Sequence, residues 1–437
     1  SDEIGGVWNY NRYPGARCDV ESYDYSYSFS EELEQEWRWT ERYAKQPEIL
    51  EYIRHVADRF DLRKNIAFST KLSSAEYDEQ LQRWNIVTDQ GTALTSQFFI
   101  MAVGQLSKPK KPNIVGENSY KGEIYHSALW PRDAVDFTGK RVGIIGTGSS
   151  GVQMTPVIAE QADHLCLFQR TANYSIPACH GQISDEEDAA VKANYRARRE
   201  QMRNSPSGLG FLPNKKSALD DSPEIREQVF EEAWNRLGYG FALVYKDILL
   251  DEAANETAID FAHRKIGAKV KDPIIREKLT PRGFPFAAMR PAVDHLYYES
   301  FNRDNVELID IKEDPIAEIT PDGIRTQSRD FVLDIIIFAT GFDVFTGSLL
   351  APTITGRNGV TLKEKWKEGP KNYLGLSTRS FPNMFIMVGP GSPSLLSNVM
   401  VSMEEHADFI RDLISDMRDK GYTEVEAEAQ AEEYWVE

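Results

Sequence analysis

The chain has 437 residues, 41% apolar and 27% charged, enough for two or three domains with buried cores, and this composition excludes a disordered chain. Its formal charge of -18 excludes a nucleic-acid surface, because neutralising phosphates takes a basic face. No run of about 18 apolar residues marks a membrane span and no basic start leads into a signal core, so the chain reads as soluble and cytoplasmic.

Three cysteines, Cys18, Cys166 and Cys179, lack the paired spacing of a disulfide framework or a zinc site, so buried thiols and no metal are expected. From Gly6 to Asp19 the chain reads GVWNYNRYPGARCD, a mix of Gly, Pro, aromatic and Asp that predicts a shaped, functional loop rather than a helix or strand. A structural turn with aromatic staples is the alternative. From Ser30 to Phe60 the pattern is helical, with Pro47 opening a helix that buries Ile49, Leu50, Ile53 and Val56. Alternating strands follow from Ile66 to Val103 and close at Gly104.

Lys108 to Pro112, KPKKP, is a linker, because proline fixes the backbone and removes donors. Tyr120 to Pro131, YKGEIYHSALWP, comes next and leads into a strand from Lys140 to Ile145. The turn Gly146, Thr147, Gly148, Ser149, Ser150, Gly151 follows, then a helix to about Ala162 and a second strand from His164 to Gln169. Strand, glycine turn, helix and strand together form a dinucleotide-binding βαβ unit, in which a pyrophosphate meets the helix N-terminus. An NAD unit would end its second strand in Asp or Glu to bind the ribose hydroxyl. Here stand Arg170 and Thr171, and a guanidinium pairs with a 2′-phosphate, so NADP is expected. A solvated surface arginine is the alternative.

From Ser184 to about Thr280 the chain is helical and highly charged, with Val191, Tyr195 and Met202 at helical spacing, and reads as an insertion. GFPFAAMRPAVD then sets Arg290 among apolar residues, where a guanidinium needs an anionic partner or ligand. Strands resume near Val306, and Leu333 to Thr340 is a buried strand ending at Gly341. Met384 to Val388 is another, running into Gly389, Pro390 and Gly391. A last helix is expected to start at Ser402, with Glu405 completing a capping box, and to bury Met403, Ile410, Leu413 and Met417. The strands ending at Gly104 and Gly341 are expected outside the NADP unit, in a discontinuous domain that it interrupts.

YKGEIYHSALWP resembles the Baeyer-Villiger monooxygenase fingerprint F-x-G-x-x-x-H-x-x-x-W-P through Gly122, His126, Trp130 and Pro131, with Tyr120 in place of the phenylalanine. The N-terminal loop resembles that family's second pattern through Gly5, Gly6, Trp8, Tyr13, Pro14, Gly15 and Asp19. The likeness covers essentially the whole chain and is nearest the phenylacetone and steroid monooxygenase branch. It implies an α/β fold of two Rossmann-like domains with a helical insertion. The FAD domain would be discontinuous, at 1–110 and 331–437, around an NADP domain at 111–330 whose insertion spans about 184–280.

The resemblance implies an FAD enzyme that uses NADPH and O2 to convert a ketone to an ester or lactone through a flavin C4a peroxide. Arg290 matches the family's active-site arginine and Asp19 the carboxylate that orients it, a pair suited to charge that develops during reaction. Gly6, Trp8, Asp19 and Tyr25 would touch flavin, with the turn from Gly389 to Ser392 nearby. Arg17, Cys18, Gly146, Thr147, Gly148, Ser149, Ser150, Gly151, Gln153, Arg170, Thr171 and Arg290 would hold NADP. His126 reads first as a packing or hinge histidine, with acid-base chemistry the alternative. Met289 stands where close relatives carry a lysine, a loss that weakens NADP preference by on the order of 1 kcal/mol.

The family also begins with a βαβ unit for the ADP half of FAD, which is expected ahead of Ser1, and continues beyond Glu437 into a segment that closes over the site. Alone, this stretch is expected to bind flavin poorly. An N- or S-oxygenating flavin monooxygenase and a non-catalytic NADP-binding fragment are the other readings. The particular ketone, whose pocket would involve residues around Ser394 to Leu396, and the oligomeric state stay open.

Overall fold

Five short strands form the sheet that positions the site: β1 (Glu123–His126), β2 (Arg141–Ile145), β3 (His164–Gln169), β4 (Val306–Asp310) and β5 (Ile335–Phe338). All are parallel, in the order β4-β3-β2-β5-β1. The computed structural model describes residues 1–178, 181–211, 214–392 and 397–437, so Cys179 and the segment 394–396 lie outside the described residues. The central strands are largely hydrophobic because both of their faces are covered; Ile144, Leu165, Leu167 and Ile335 to Ile337 are fully buried. Helix Ser149–Ala159 joins β2 to β3 as expected, ending at Ala159 rather than Ala162.

The strand β5 overturns one expectation. Leu333 to Thr340 reads as lying outside the NADP unit, yet Ile335–Phe338 sits within that sheet between β2 and β1, with Ile335 beside Val142 and Ile337 beside Ile144. An all-apolar strand has the same pattern in any buried parallel sheet, so only pairing decides which sheet takes it. A boundary at 331 would separate this strand from the sheet in which it pairs.

Asp334 fastens this strand to its neighbour. Its carboxylate accepts from the Arg141 backbone N–H at 2.8 Å and from the Arg141 guanidinium at 2.7 and 3.1 Å. The hydrogen bonds from Arg141 hold the carboxyl down at about 2, below its ordinary 3.8. A depressed carboxyl stabilises the fold above its unfolded value, and that contribution is lost as pH falls from about 4 towards 2. Acid unfolding of Asp334→Asn, followed by circular dichroism, is expected to be flatter than wild type in this window. The effect is modest, since both side chains are partly open to solvent.

The helical stretch is an excursion between two paired strands. Ser175–Pro177 runs parallel to Ala292–Asp294, and helices Asp185–Ala193, Tyr195–Arg203, Pro223–Trp234, Glu252–Lys269 and Pro273–Leu279 fall between them in sequence. Elsewhere Thr353–Thr355, Leu72–Asp78, Arg83–Thr88 and Ala93–Ser96 form a four-stranded sheet, and Phe99–Met101 pairs in parallel with Met384–Ile386. Ile316–Thr320, Gly323–Thr326 and Asp330–Val332 make an antiparallel meander. Helix Gln46–Arg59 carries Pro47 in its first turn and buries Ile49, Leu50 and Val56, with Ile53 partly buried.

Two smaller expectations also change. The long C-terminal helix is Val399–Lys420, capped by the Asn398 side chain, which accepts from the Met400 N–H. Ser402 and Glu405 therefore lie inside it, their capping-box spacing being incidental; Ile410 and Met417 are buried, and Met403 and Leu413 only partly so. The N-terminal loop contains one helical turn, Val7–Tyr10, which starts where Gly6 adopts φ 51°. Among the described residues no helix is long and apolar enough to cross a membrane.

Candidate functional site

The YKGEIYHSALWP stretch supplies the edge strand β1 and its flanks. Tyr120 folds back so that its hydroxyl donates to the Leu333 carbonyl at 3.0 Å, directly over Gly122. A Cβ on Gly122 would lie 2.4 Å from that hydroxyl, so the position has room only for glycine. His126 Nδ1 accepts from the Ala128 N–H at 3.1 Å, and Nε2 faces the Lys110 carbonyl at 3.4 Å. Burial lowers its pKa. Held at both nitrogens, the ring fastens the linker to the turn after β1. Trp130 is buried between Tyr125 and Phe137.

The N-terminal loop packs directly on the helix of the βαβ unit. Gly15, at φ 80°, approaches so closely that a Cβ would meet the Gln153 carbonyl oxygen at 2.3 Å. The Tyr13 hydroxyl donates to Gln153 Oε1 at 2.9 Å, and Gln153 Nε2 donates to the Arg17 carbonyl at 3.1 Å. Burial pushes the Tyr13 phenol up to about 12, which keeps it a donor. On its other side the loop is tied to residues 44–46, with the Cys18 N–H donating to the Ala44 carbonyl at 3.1 Å and the Gln46 N–H to the Ala16 carbonyl at 2.9 Å. Arg17 is turned onto Glu41 at 3.3 Å, and Cys18 is a buried thiol whose pKa burial raises.

These ties present Asp19 to Arg290. Arg290 Nε donates to Asp19 Oδ2 at 2.7 Å, with both side chains about three-quarters buried. Burial opposes the charge on Arg290, but the field of Asp19 and its hydrogen bond prevail and raise its pKa. Arg290 lies two residues before the return strand Ala292–Asp294, and its carbonyl accepts from Asn173 Nδ2 at 3.0 Å, so the guanidinium sits at the neck of the helical excursion. Tyr239, from the 3₁₀ turn Gly238–Leu243 within that excursion, lies with its ring 4.6 Å from Arg290 Cζ.

The glycine turn has the geometry that a pyrophosphate needs. Gly146, at φ 114°, lies where a Cβ would meet the Ala339 carbonyl oxygen at 2.4 Å, and a Cβ on Gly151 would meet the Gly146 carbonyl oxygen at 2.1 Å. Around Gly148 the corresponding space is open, and no side chain caps the helix that begins at Ser149. Its first-turn N–H groups thus face an approachable backbone at the crevice between β2 and β5, where the strand order reverses. Ser150 lies in that first turn beside Gly151. Thr147 Oγ1 donates to the Thr171 carbonyl at 3.0 Å, joining the turn to the end of β3, where Arg170 is exposed. The residues present fit a dinucleotide phosphate.

Trp8 and Tyr25 meet edge to face, with Trp8 Nε1 donating to the Tyr25 hydroxyl at 3.1 Å. The turn at Gly389 is closed by the Ser392 hydroxyl, which donates to the Gly389 carbonyl at 2.7 Å. Sequence reading missed Tyr239, Asn173 and Glu41, because nothing local marks a residue whose partner lies tens or hundreds of positions away. It also missed the cluster His164, Cys166 and Glu307, whose ligand atoms lie within 4.8 Å of one another across β3 and β4. Glu307 there is engaged by Arg329 at 2.5 and 3.0 Å. Met289 is exposed.

Residues 21–202 match the family model described as pyridine nucleotide-disulphide oxidoreductase. A Baeyer-Villiger monooxygenase of Pseudooceanicola batsensis is 45% identical over 440 residues, covering 100% of this chain and 80% of the relative. A phenazine N-monooxygenase of Lysobacter antibioticus is 41% identical over 437 residues, covering 99% of this chain and 80% of the relative. The solved structure of an oxidized steroid monooxygenase bound to NADP superposes with a TM-score of 0.97 at 50% identity, covering 100% of this chain and 83% of that one. With identity of this order along its whole length, and with both fingerprints built into the fold, the chain belongs to the Baeyer-Villiger monooxygenases.

Proposed function

We propose that this protein converts a ketone, O2, NADPH and a proton into an ester or lactone, water and NADP⁺, with FAD as its flavin. One observation carries the reading: a partly desolvated Arg290, paired to Asp19 at 2.7 Å, on a loop anchored to the helix of the nucleotide unit. When bound, FAD reduced by NADPH supplies the activated oxygen. The chain's own residues then do three things. The turn from Gly146 to Gly151 receives the pyrophosphate, and Arg170 with Thr171 faces the 2′-phosphate. Arg290, held in place by Asp19, puts a fixed positive charge where negative oxygen develops on the ketone carbon. Gly6, Trp8, Asp19 and Tyr25 form the flavin side, with Arg17 and Cys18 between it and the nucleotide helix, from which Gln153 reaches the Arg17 carbonyl.

On this reading the FAD part comprises residues 1–110 and the chain after Phe338, around an NADP part with its helical insertion, and the enzyme works in the cytoplasm. The test is a ketone panel with the FAD-loaded holoenzyme under ¹⁸O2, with products identified by mass spectrometry. One labelled oxygen in an ester is expected. N-oxygenation is the second reading, favoured by the likeness to a phenazine N-monooxygenase. Oxidation of heteroaromatic amines or sulfides with no ester from any ketone would establish it instead.

A further inference from the structure

Tyr239 has a polar atom that the fold leaves unused. Its side chain is 4% exposed, and among the described residues its hydroxyl has no hydrogen-bond partner. Buried hydroxyls are nearly always bonded, and an exception calls for a ligand or a strained role. The neighbourhood points to a ligand. The ring of Tyr239 stacks on the guanidinium of Arg290, and Asp19 is already engaged by that same arginine. Burial raises the phenol's pKa, so it stays protonated and available as a donor. A neutral donor beside a fixed cation suits an electron-rich oxygen and repels a cationic group.

We infer that the Tyr239 hydroxyl donates a hydrogen bond to a carbonyl oxygen held beside Arg290, either the carboxamide of bound NADP or the ketone itself. The helical excursion then contributes directly to the site, through a ring that fixes the plane of Arg290 and a hydroxyl that reads the ligand. This rests on the monooxygenase reading only for the ketone. Binding of NADP⁺ tests it without any turnover.

Tyr239→Phe keeps the ring and its stacking while removing the hydroxyl. Three quantities are compared with wild type: the unfolding midpoint without ligand, NADP⁺ affinity by calorimetry, and kcat/KM for a ketone with the holoenzyme. The midpoint is expected to be unchanged or higher, since an unbonded buried hydroxyl is lost. A fall of about three- to tenfold in NADP⁺ affinity, with binding of 2′,5′-ADP unchanged, assigns the bond to the carboxamide. A fall of similar size confined to ketone kcat/KM assigns it to the ketone. Wild-type values in both arms overturn the inference. So does a lower midpoint, which means that the hydroxyl is bonded without ligand. If wild type makes no ester from any ketone, the functional reading falls while the NADP⁺ and midpoint measurements still decide the role of Tyr239.

Discussion

Replacing Arg290 with alanine is expected to lower ester formation about 10²- to 10³-fold in the FAD-loaded holoenzyme, while NADPH still bleaches the flavin absorbance at a rate much nearer wild type. The reason is where charge appears. On the proposed function, flavin would be reduced before the ketone carbon is attacked, whereas the adduct formed on that carbon would carry negative charge on its oxygen. A cation already in place lowers the barrier because it need not reorient when that charge develops. Arg290 is preorganised in this sense by the 2.7 Å bond from Nε to Asp19, by the Tyr239 ring on its face and by Asn173 on its backbone carbonyl. Arg290→Lys keeps the charge but loses the planar fork that meets both Asp19 and Tyr239, so partial rescue is expected. Rapid-mixing spectroscopy separates the two half-reactions. Equal slowing of flavin reduction and ester formation would remove Arg290 from the oxygen-transfer step, and an unchanged ester yield would remove it from the site.

The second large effect is expected at Gly15. Alanine there must adopt φ 80° and also bring its Cβ to 2.3 Å from the Gln153 carbonyl oxygen, a backbone atom of a helix that cannot yield. The backbone strain alone costs roughly 1–3 kcal/mol, and the clash adds to it by lifting the loop off the helix. Lifting it breaks the bonds from Tyr13 to Gln153 and from Gln153 to the Arg17 carbonyl, and so displaces Asp19 from Arg290. Gly15→Ala is therefore expected to lower the unfolding midpoint by several degrees and to weaken NADP⁺ binding. Gly6→Ala is the control, since Gly6 also has positive φ, 51°, but nothing lies within 4 Å of its would-be Cβ. It carries the strain without the clash. If the two variants lose equal stability, the close approach of loop and helix is not what Gly15 serves.

Much of the molecule was legible in the residues alone, for reasons that can be stated. The βαβ unit declared itself because its strands are mostly apolar, its turn spaces three glycines, and its helix follows at once; these are local requirements and leave local traces. The two fingerprints were equally local. Gly122 and Gly15 each sit where a side chain would strike backbone or a folded-back ring, and His126 and Trp130 fasten and pack the edge of a sheet. The first fingerprint marks a joint of the fold, while the second both docks the loop on the helix and carries Asp19, which pairs with Arg290. Arg290 was suspected from its apolar company, which demands an anion, and Asp19 only through the family likeness.

What the residues did not disclose is everything that depends on which distant segments meet. Ile335–Phe338 has the same apolar pattern whichever sheet receives it, and pairing with Arg141–Ile145 placed it inside the nucleotide unit. Asn398 capped the last long helix because its side chain reaches the Met400 N–H, while the Ser402 to Glu405 spacing had the right letters in a place already helical. Tyr239 was one aromatic among many in a charged, helical stretch. Only the return of the chain through Ser175–Pro177 and Ala292–Asp294 set its ring against Arg290, across a separation over which composition and periodicity carry no information.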